Sequence, residues 1–130
     1  MRVALSAVIL LGAILDAVLG FGFLSDPADS GATFGLAAPG AMGLSAMRAD
    51  FTAFFLVASG FMMVGAWQRR GDMLVAPLAL FAIALSGRAL NLIAVGPYDG
   101  WWLPMTVEAA HVVVLALAIK VWDWRPRARQ

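Results

Sequence analysis

The chain has 130 residues, 62% of them hydrophobic and 13% charged, with a net charge of +1. An ordinary soluble domain is about half apolar and a quarter charged, so water is the wrong solvent for this surface, and the charge gives no sign of a nucleic-acid partner. With no cysteine and one histidine, disulfides, thiolate chemistry and any metal site needing two histidines from one chain are excluded.

A helix needs about 20 mostly apolar residues to cross the hydrocarbon core of a bilayer. Residues 3–24 form the first such stretch. Its apolar run, which Asp16 interrupts, is too long for a secretory signal and no small-x-small cleavage site follows, so it reads as a retained helix. Gly12, Asp16 and Gly20 recur every four residues on it, a small-residue face suited to close helix packing. The connection over 25–44 is rich in Gly, Ala and Pro. Within it Ser25-Asp26-Pro27 has the form of a helix start, a capping side chain followed by proline. A short helix at the membrane surface and a plain surface loop both fit.

The second span, 45–67, carries a polar stripe of Ser45, Arg48, Thr52 and Ser59. Asp50, two residues from Arg48, points roughly the other way, toward headgroups, another neighbour or a second protomer. Gln68-Arg69-Arg70-Gly71-Asp72 is a tight polar turn into the third span, 73–95. There Arg88 and Asn91 share a face, three residues apart. Gly96-Pro97-Tyr98-Asp99-Gly100 turns the chain into the fourth span, 102–122, where Glu108 and His111 share a face. The seven methionines and eight phenylalanines are scattered among apolar residues, as lipid-facing or bundle packing requires.

With four crossings, Arg2, Arg69, Arg70, Lys120, Arg125, Arg127 and Arg129 fall on one side, and Asp26, Asp29 and Asp99 on the other. Basic residues stay inside, which places both ends of the chain and the Arg69-Arg70 turn in the cytoplasm. Trp67, Trp122 and Trp124 then mark the inner boundary and Trp101 and Trp102 the outer one. The basic residues after Lys120 suit anionic headgroups. The expected fold is all-α: a single integral membrane four-helix up-down bundle.

Asp16, Arg48, Asp50, Arg88, Asn91, Glu108 and His111 all fall inside these spans. A charged side chain at a helix centre costs about 2.5–3.5 kcal/mol on insertion scales, so such groups turn inward, pair, and mark function. Counting the helical rise from each boundary puts all seven in the outer half of the bilayer. Arg88 lies about 22 Å from the inner start of its helix and Glu108 about 9 Å below the outer start of its own. In a core about 30 Å thick these depths nearly coincide, so the two are expected to pair at the centre of the cluster. Three readings follow: a structural ion-pair network, a site for a small polar or anionic ligand or an ion reached from outside, and a transient proton relay. Glu108-Ala109-Ala110-His111 also has the Glu-x-x-His spacing of dimetal bundles, which need two such motifs and further glutamates. Glu108 is the only glutamate, so no metal or cofactor is expected from one chain. Serine-hydrolase, phosphate-loop and dinucleotide patterns are absent.

Asp26-Pro27, Phe34-Gly35-Leu36, Arg48-Ala49-Asp50-Phe51, Gly87-Arg88 with Asn91, Gly96 and Glu108 occur in that order. Together they resemble the domain-of-unknown-function 4345 family of small bacterial four-helix membrane proteins. The resemblance spans nearly the whole chain and implies the fold and a bacterial origin, with no activity attached; the expected location is then the bacterial inner membrane. The expected function is non-enzymatic: binding a small polar or anionic ligand, or a membrane partner, at the polar cluster. The alternative is an accessory subunit of a larger membrane complex, or a homo-oligomer, in which the charges serve packing. A weaker third class is an enzyme using Glu108 and His111 as acid and base.

Overall fold

The computed structural model describes residues 1–122; Trp124, Arg125, Arg127 and Arg129 lie outside the described residues. Among these the chain is entirely helical, with α1 (Arg2–Ser25), α2 (Pro27–Thr33), α3 (Gly40–Gln68), α4 (Val75–Ala94) and α5 (Trp102–Val121). A 3-10 turn, Asp72–Leu74, leads into α4. All but α2 are long and apolar enough to cross a membrane.

The ends of these helices follow from local chemistry. The Ser25 hydroxyl donates back to the Phe21 carbonyl at 2.8 Å as α1 closes. Asp26 then accepts the backbone N–H of Asp29 at 3.0 Å, and Pro27 occupies the first turn of α2, where a missing N–H costs nothing. The short helix that the sequence allowed is therefore present. It is held down at Gly31, where a Cβ would meet Met47 Cε and Sδ. After α2, Phe34 packs on Phe23 and Phe55, joining a cluster that includes Phe51 and the buried Met47. The first connection is thus anchored to the bundle through Gly31 and Phe34.

One boundary departs clearly from the sequence reading. α3 begins at Gly40, five residues before the expected 45, directly after Pro39, which cannot donate a backbone hydrogen bond. Its 29 residues extend about 43 Å, more than a hydrocarbon core needs. Trp122, just past the end of α5, is covered by protein: it is 4% exposed and packs in the core with Leu74, Leu115 and Ala118. The turn after α3 covers that end of α5. A Cβ on Gly71 would lie 3.2 Å from the Ile119 backbone, so only glycine lets the turn approach so closely. Arg69 closes α3 in the left-handed region at φ 52°. Arg70 then donates to both Asp72 oxygens, at 3.1 and 2.5 Å, which holds its proton more firmly than in a free arginine.

α1 packs along α3 and α4 along α5, with further contacts between α3 and α4 and between α1 and α5. Three hydroxyls tie α1 to α3. Ser6 donates to the Ala66 carbonyl at 3.2 Å, Ser59 to Ala13 at 2.7 Å and Thr52 to Gly20 at 3.3 Å. As the position in α1 steps from 6 to 13 to 20, its partner in α3 steps back from 66 to 59 to 52. The two helices therefore run antiparallel, in register at every seventh residue, the repeat of a left-handed supercoil. Gly20 allows this approach, because a Cβ there would lie 2.7 Å from Leu56 Cδ2. The outer faces are apolar: Leu11, Ile83 and Ile93 are 68%, 71% and 84% exposed. Such faces suit hydrocarbon and would be a liability in water.

Candidate functional site

The seven polar residues of the spans do not form one layer. They resolve into one ion pair, one carboxylate–imidazole contact, one residue lining a cavity, and two exposed residues at the end of the bundle.

The first pair joins α4 to α5. Arg88 donates its Nε–H to Glu108 Oε1 at 2.8 Å, with side-chain exposures of 33% and 11%. This is the pairing that equal depth implied. Arg88 uses its Nε in this bond, so its two terminal amino groups remain to serve a further acceptor. Glu108 Oε2 is buried and has no hydrogen-bond partner among the described residues. Beside the pair lies a cavity of about 300 Å³, lined by Ala84, Gly87, Arg88, Asn91, Tyr98 and Glu108. Asn91 is exposed on this face, one turn from Arg88. Sequence reasoning missed Tyr98, which belongs to the turn after α4. Gly87 also contributes by what it lacks: a Cβ there would meet no atom within 4 Å, so the missing side chain leaves open space.

The second pair joins α1 to α5. Asp16 Oδ2 and His111 Nε2 stand 3.6 Å apart, and both side chains are at least nine-tenths buried. The imidazole is fixed on its other edges. Nδ1 lies 2.8 Å from the Val107 carbonyl oxygen, and the ring stacks on Phe81 at a centroid distance of 4.2 Å. Gly12, one turn before Asp16, admits the ring, since a Cβ at that position would lie 2.9 Å from Nε2. The small-residue face of α1 is therefore occupied within the chain, by His111 at Gly12 and Leu56 at Gly20. Although three residues apart, Glu108 and His111 bond different partners, and no group of three or more metal-ligating side chains comes together among the described residues.

Arg48 and Asp50 correct the expected buried cluster. Both are exposed, and neither forms an ion pair among the described residues. The antiparallel register explains this. With Thr52 level with Gly20, Arg48 is level with Leu24 in the last turn of α1 and stands beyond the deeper pairs. Ser45 is exposed in the same region, whereas Thr52 and Ser59 of the expected stripe do face α1.

Four long apolar helices around an Arg–Glu ion pair and a buried carboxylate–imidazole contact define an all-helical bundle of the membrane-crossing kind. Compared with family models, curated proteins and solved structures, the chain matches none.

Proposed function

We propose that this protein is a non-enzymatic, multi-pass protein of a bacterial inner membrane that binds a small polar or anionic ligand in the α4–α5 cavity. In this reading the four long helices cross in up-down order with both ends in the cytoplasm, and the cavity opens toward the outer half of the bilayer. Likeness to the domain-of-unknown-function 4345 family is part of the proposal and rests on the residue order given above. The observation that carries the reading is the state of Arg88 and Glu108. They share a single hydrogen bond, which leaves guanidinium N–H groups of Arg88 beside a cavity that also has Asn91 and Tyr98 on its wall. A purely structural pair would use those groups on the carboxylate, as Arg70 and Asp72 do with two bonds. The ligand that fits presents an acceptor to the guanidinium, as a carboxylate or phosphate group does.

A panel of small carboxylates and inorganic phosphate, added to purified protein in mild detergent, tests this. A ligand at 100 times its Kd raises stability by about 2.7 kcal/mol, and Gly87→Leu, which fills the cavity, should abolish that shift. If no member of the panel stabilises the wild type, and no small molecule is released from protein purified from native membranes, the reading fails.

A second reading, an accessory subunit of a larger assembly, has its own support. Arg48 and Asp50 are exposed on a helix otherwise suited to lipid, and charged groups there are satisfied by a partner or by headgroups. Co-purification of a partner that Arg48→Ala with Asp50→Ala releases would favour it.

A further inference from the structure

Asp16 and His111 raise a question of proton count. The Val107 carbonyl can only accept a hydrogen bond, and it lies 2.8 Å from Nδ1, so Nδ1 carries a hydrogen. In a neutral imidazole the other nitrogen, Nε2, is then a bare lone pair. Nε2 faces a carboxylate oxygen at 3.6 Å. Both atoms are buried, and neither has a hydrogen-bond partner. Two buried lone pairs facing each other, with no side-chain donor between them among the described residues, would leave two orphan acceptors and a naked charge in a medium of low dielectric constant. One additional proton resolves all of this. It sits on Nε2, giving an imidazolium beside a carboxylate, or on Oδ2, giving an acid beside an imidazole, and it belongs to the pair rather than to either residue. The gap is about 0.5 Å beyond hydrogen-bond length, within reach of a small side-chain rotation.

Among the described residues no side chain offers a competing donor. α1 contributes Asp16 itself, and on its other side the ring borders an apolar cavity of about 200 Å³ that includes Ile9, Met62 and Leu115. α4 brings Phe81 against the ring and Arg88 onto Glu108. The ionisable residues of α3, Arg48 and Asp50, are exposed at the bundle end. On α5, Glu108 lies one turn away, lines the polar cavity, and has its Oε2 buried without a partner. We propose that Asp16 and His111 form a proton-binding site within the bundle, holding one proton between Oδ2 and Nε2 at neutral pH, with Glu108 as its entry from the α4–α5 cavity. A proton arriving in the cavity binds the Glu108 carboxylate, leaves it for the Asp16–His111 pair, and returns Glu108 to its carboxylate form. No other bond is made or broken.

His111 is the only histidine, so with an affinity tag free of histidine its ring nitrogens are read directly by nitrogen-15 NMR of histidine-labelled protein. The site does not depend on the identity of any ligand, and this experiment needs none. At neutral pH the expected result is both ring nitrogens protonated, or Nε2 hydrogen-bonded while the infrared spectrum shows a protonated carboxyl that Asp16→Asn removes. In Asp16→Asn the amide donates to Nε2, so the ring should be neutral with Nε2 unprotonated. Gly12→Ala, which pushes Nε2 away from α1, should shift the Nε2 signal in the same direction if Asp16→Asn does not fold. A bare Nε2 with no protonated carboxyl in the wild type would overturn the proposal, as would a bare Nδ1. After a rapid pH change, protonation of the pair should slow at least tenfold in Arg88→Met with Glu108→Gln. An unchanged rate removes Glu108 from the route.

Discussion

The Ser59 hydroxyl donates to the Ala13 carbonyl at 2.7 Å, the central one of three such bonds spaced seven residues apart between α1 and α3. Each carbonyl sits within a helix that already uses it in its own ladder, so deleting the hydroxyl orphans nothing on the other side. Interhelical bonds of this kind in membranes average about 0.6 kcal/mol. Ser59→Ala should therefore cost about that much, measured by reversible unfolding in mixed detergent. Gly20→Ala should cost more, because its Cβ falls 2.7 Å from Leu56 Cδ2 and 3.2 Å from the Leu56 backbone nitrogen. If Ser59→Ala proves the costlier change, the glycine contact is not what sets the α1–α3 spacing.

Gly87 separates stability from binding. It is a helical glycine whose Cβ would meet nothing, so Gly87→Ala should raise stability, by up to about 1 kcal/mol from helix propensity. The same methyl projects beside the Arg88–Glu108 cavity. Any ligand-induced thermal shift should shrink in Gly87→Ala while the unliganded protein melts higher. A parallel rise in both would place the ligand elsewhere.

The helices and the Arg88–Glu108 pair were legible because both rest on one-dimensional arguments: apolar length fixes a span, and rise per residue fixes depth. Asp16 and His111 were legible as members of a polar set but not as partners. Their meeting depends on Gly12 admitting the ring and on Phe81 and Val107 orienting it, all contacts across helices. Arg48 and Asp50 went wrong for a related reason. Counting from 45 places Arg48 near the outer end of the second span, and the register with α1 agrees, setting it level with Leu24; what the count cannot give is that Arg48 and Asp50 are exposed there rather than turned inward. Trp122 shows the same limit, since position in the sequence fixes its height but not whether the turn at Gly71 covers it.

The proposed orientation predicts reporter behaviour. A reporter active only in the cytoplasm, fused after Gln130, should be active, and a periplasm-only reporter at that point should be silent. The reverse pattern should hold for reporters inserted at Asp99, in the connection between α4 and α5. Activity of the two reporters in the same compartment would remove one crossing, and a full inversion would reverse the orientation drawn from Arg2, Arg69 and Arg70.

Arg88 and Glu108 give the sharpest energetic test. Their 2.8 Å bond joins a side chain one-third exposed to one almost wholly buried, so the interaction is stronger than a surface pair and weaker than one fully enclosed. Removing either partner leaves the other charge in the bundle without compensation. Hydrogen bonds to charged groups contribute about 1.5–3 kcal/mol, and an orphaned buried charge adds to the loss. Arg88→Met strands the more buried carboxylate and should cost about 2–3 kcal/mol. Glu108→Gln leaves a guanidinium that the open cavity partly solvates, and should cost less. The double variant, with neither charge, should be more stable than Arg88→Met alone, because the desolvation penalty disappears together with the attraction. Thermal unfolding of all four proteins in one detergent completes the cycle. A coupling close to zero would show that the two residues act independently despite their bond, whereas rescue by the second substitution confirms a buried pair and leaves a folded protein in which ligand binding can be measured without it.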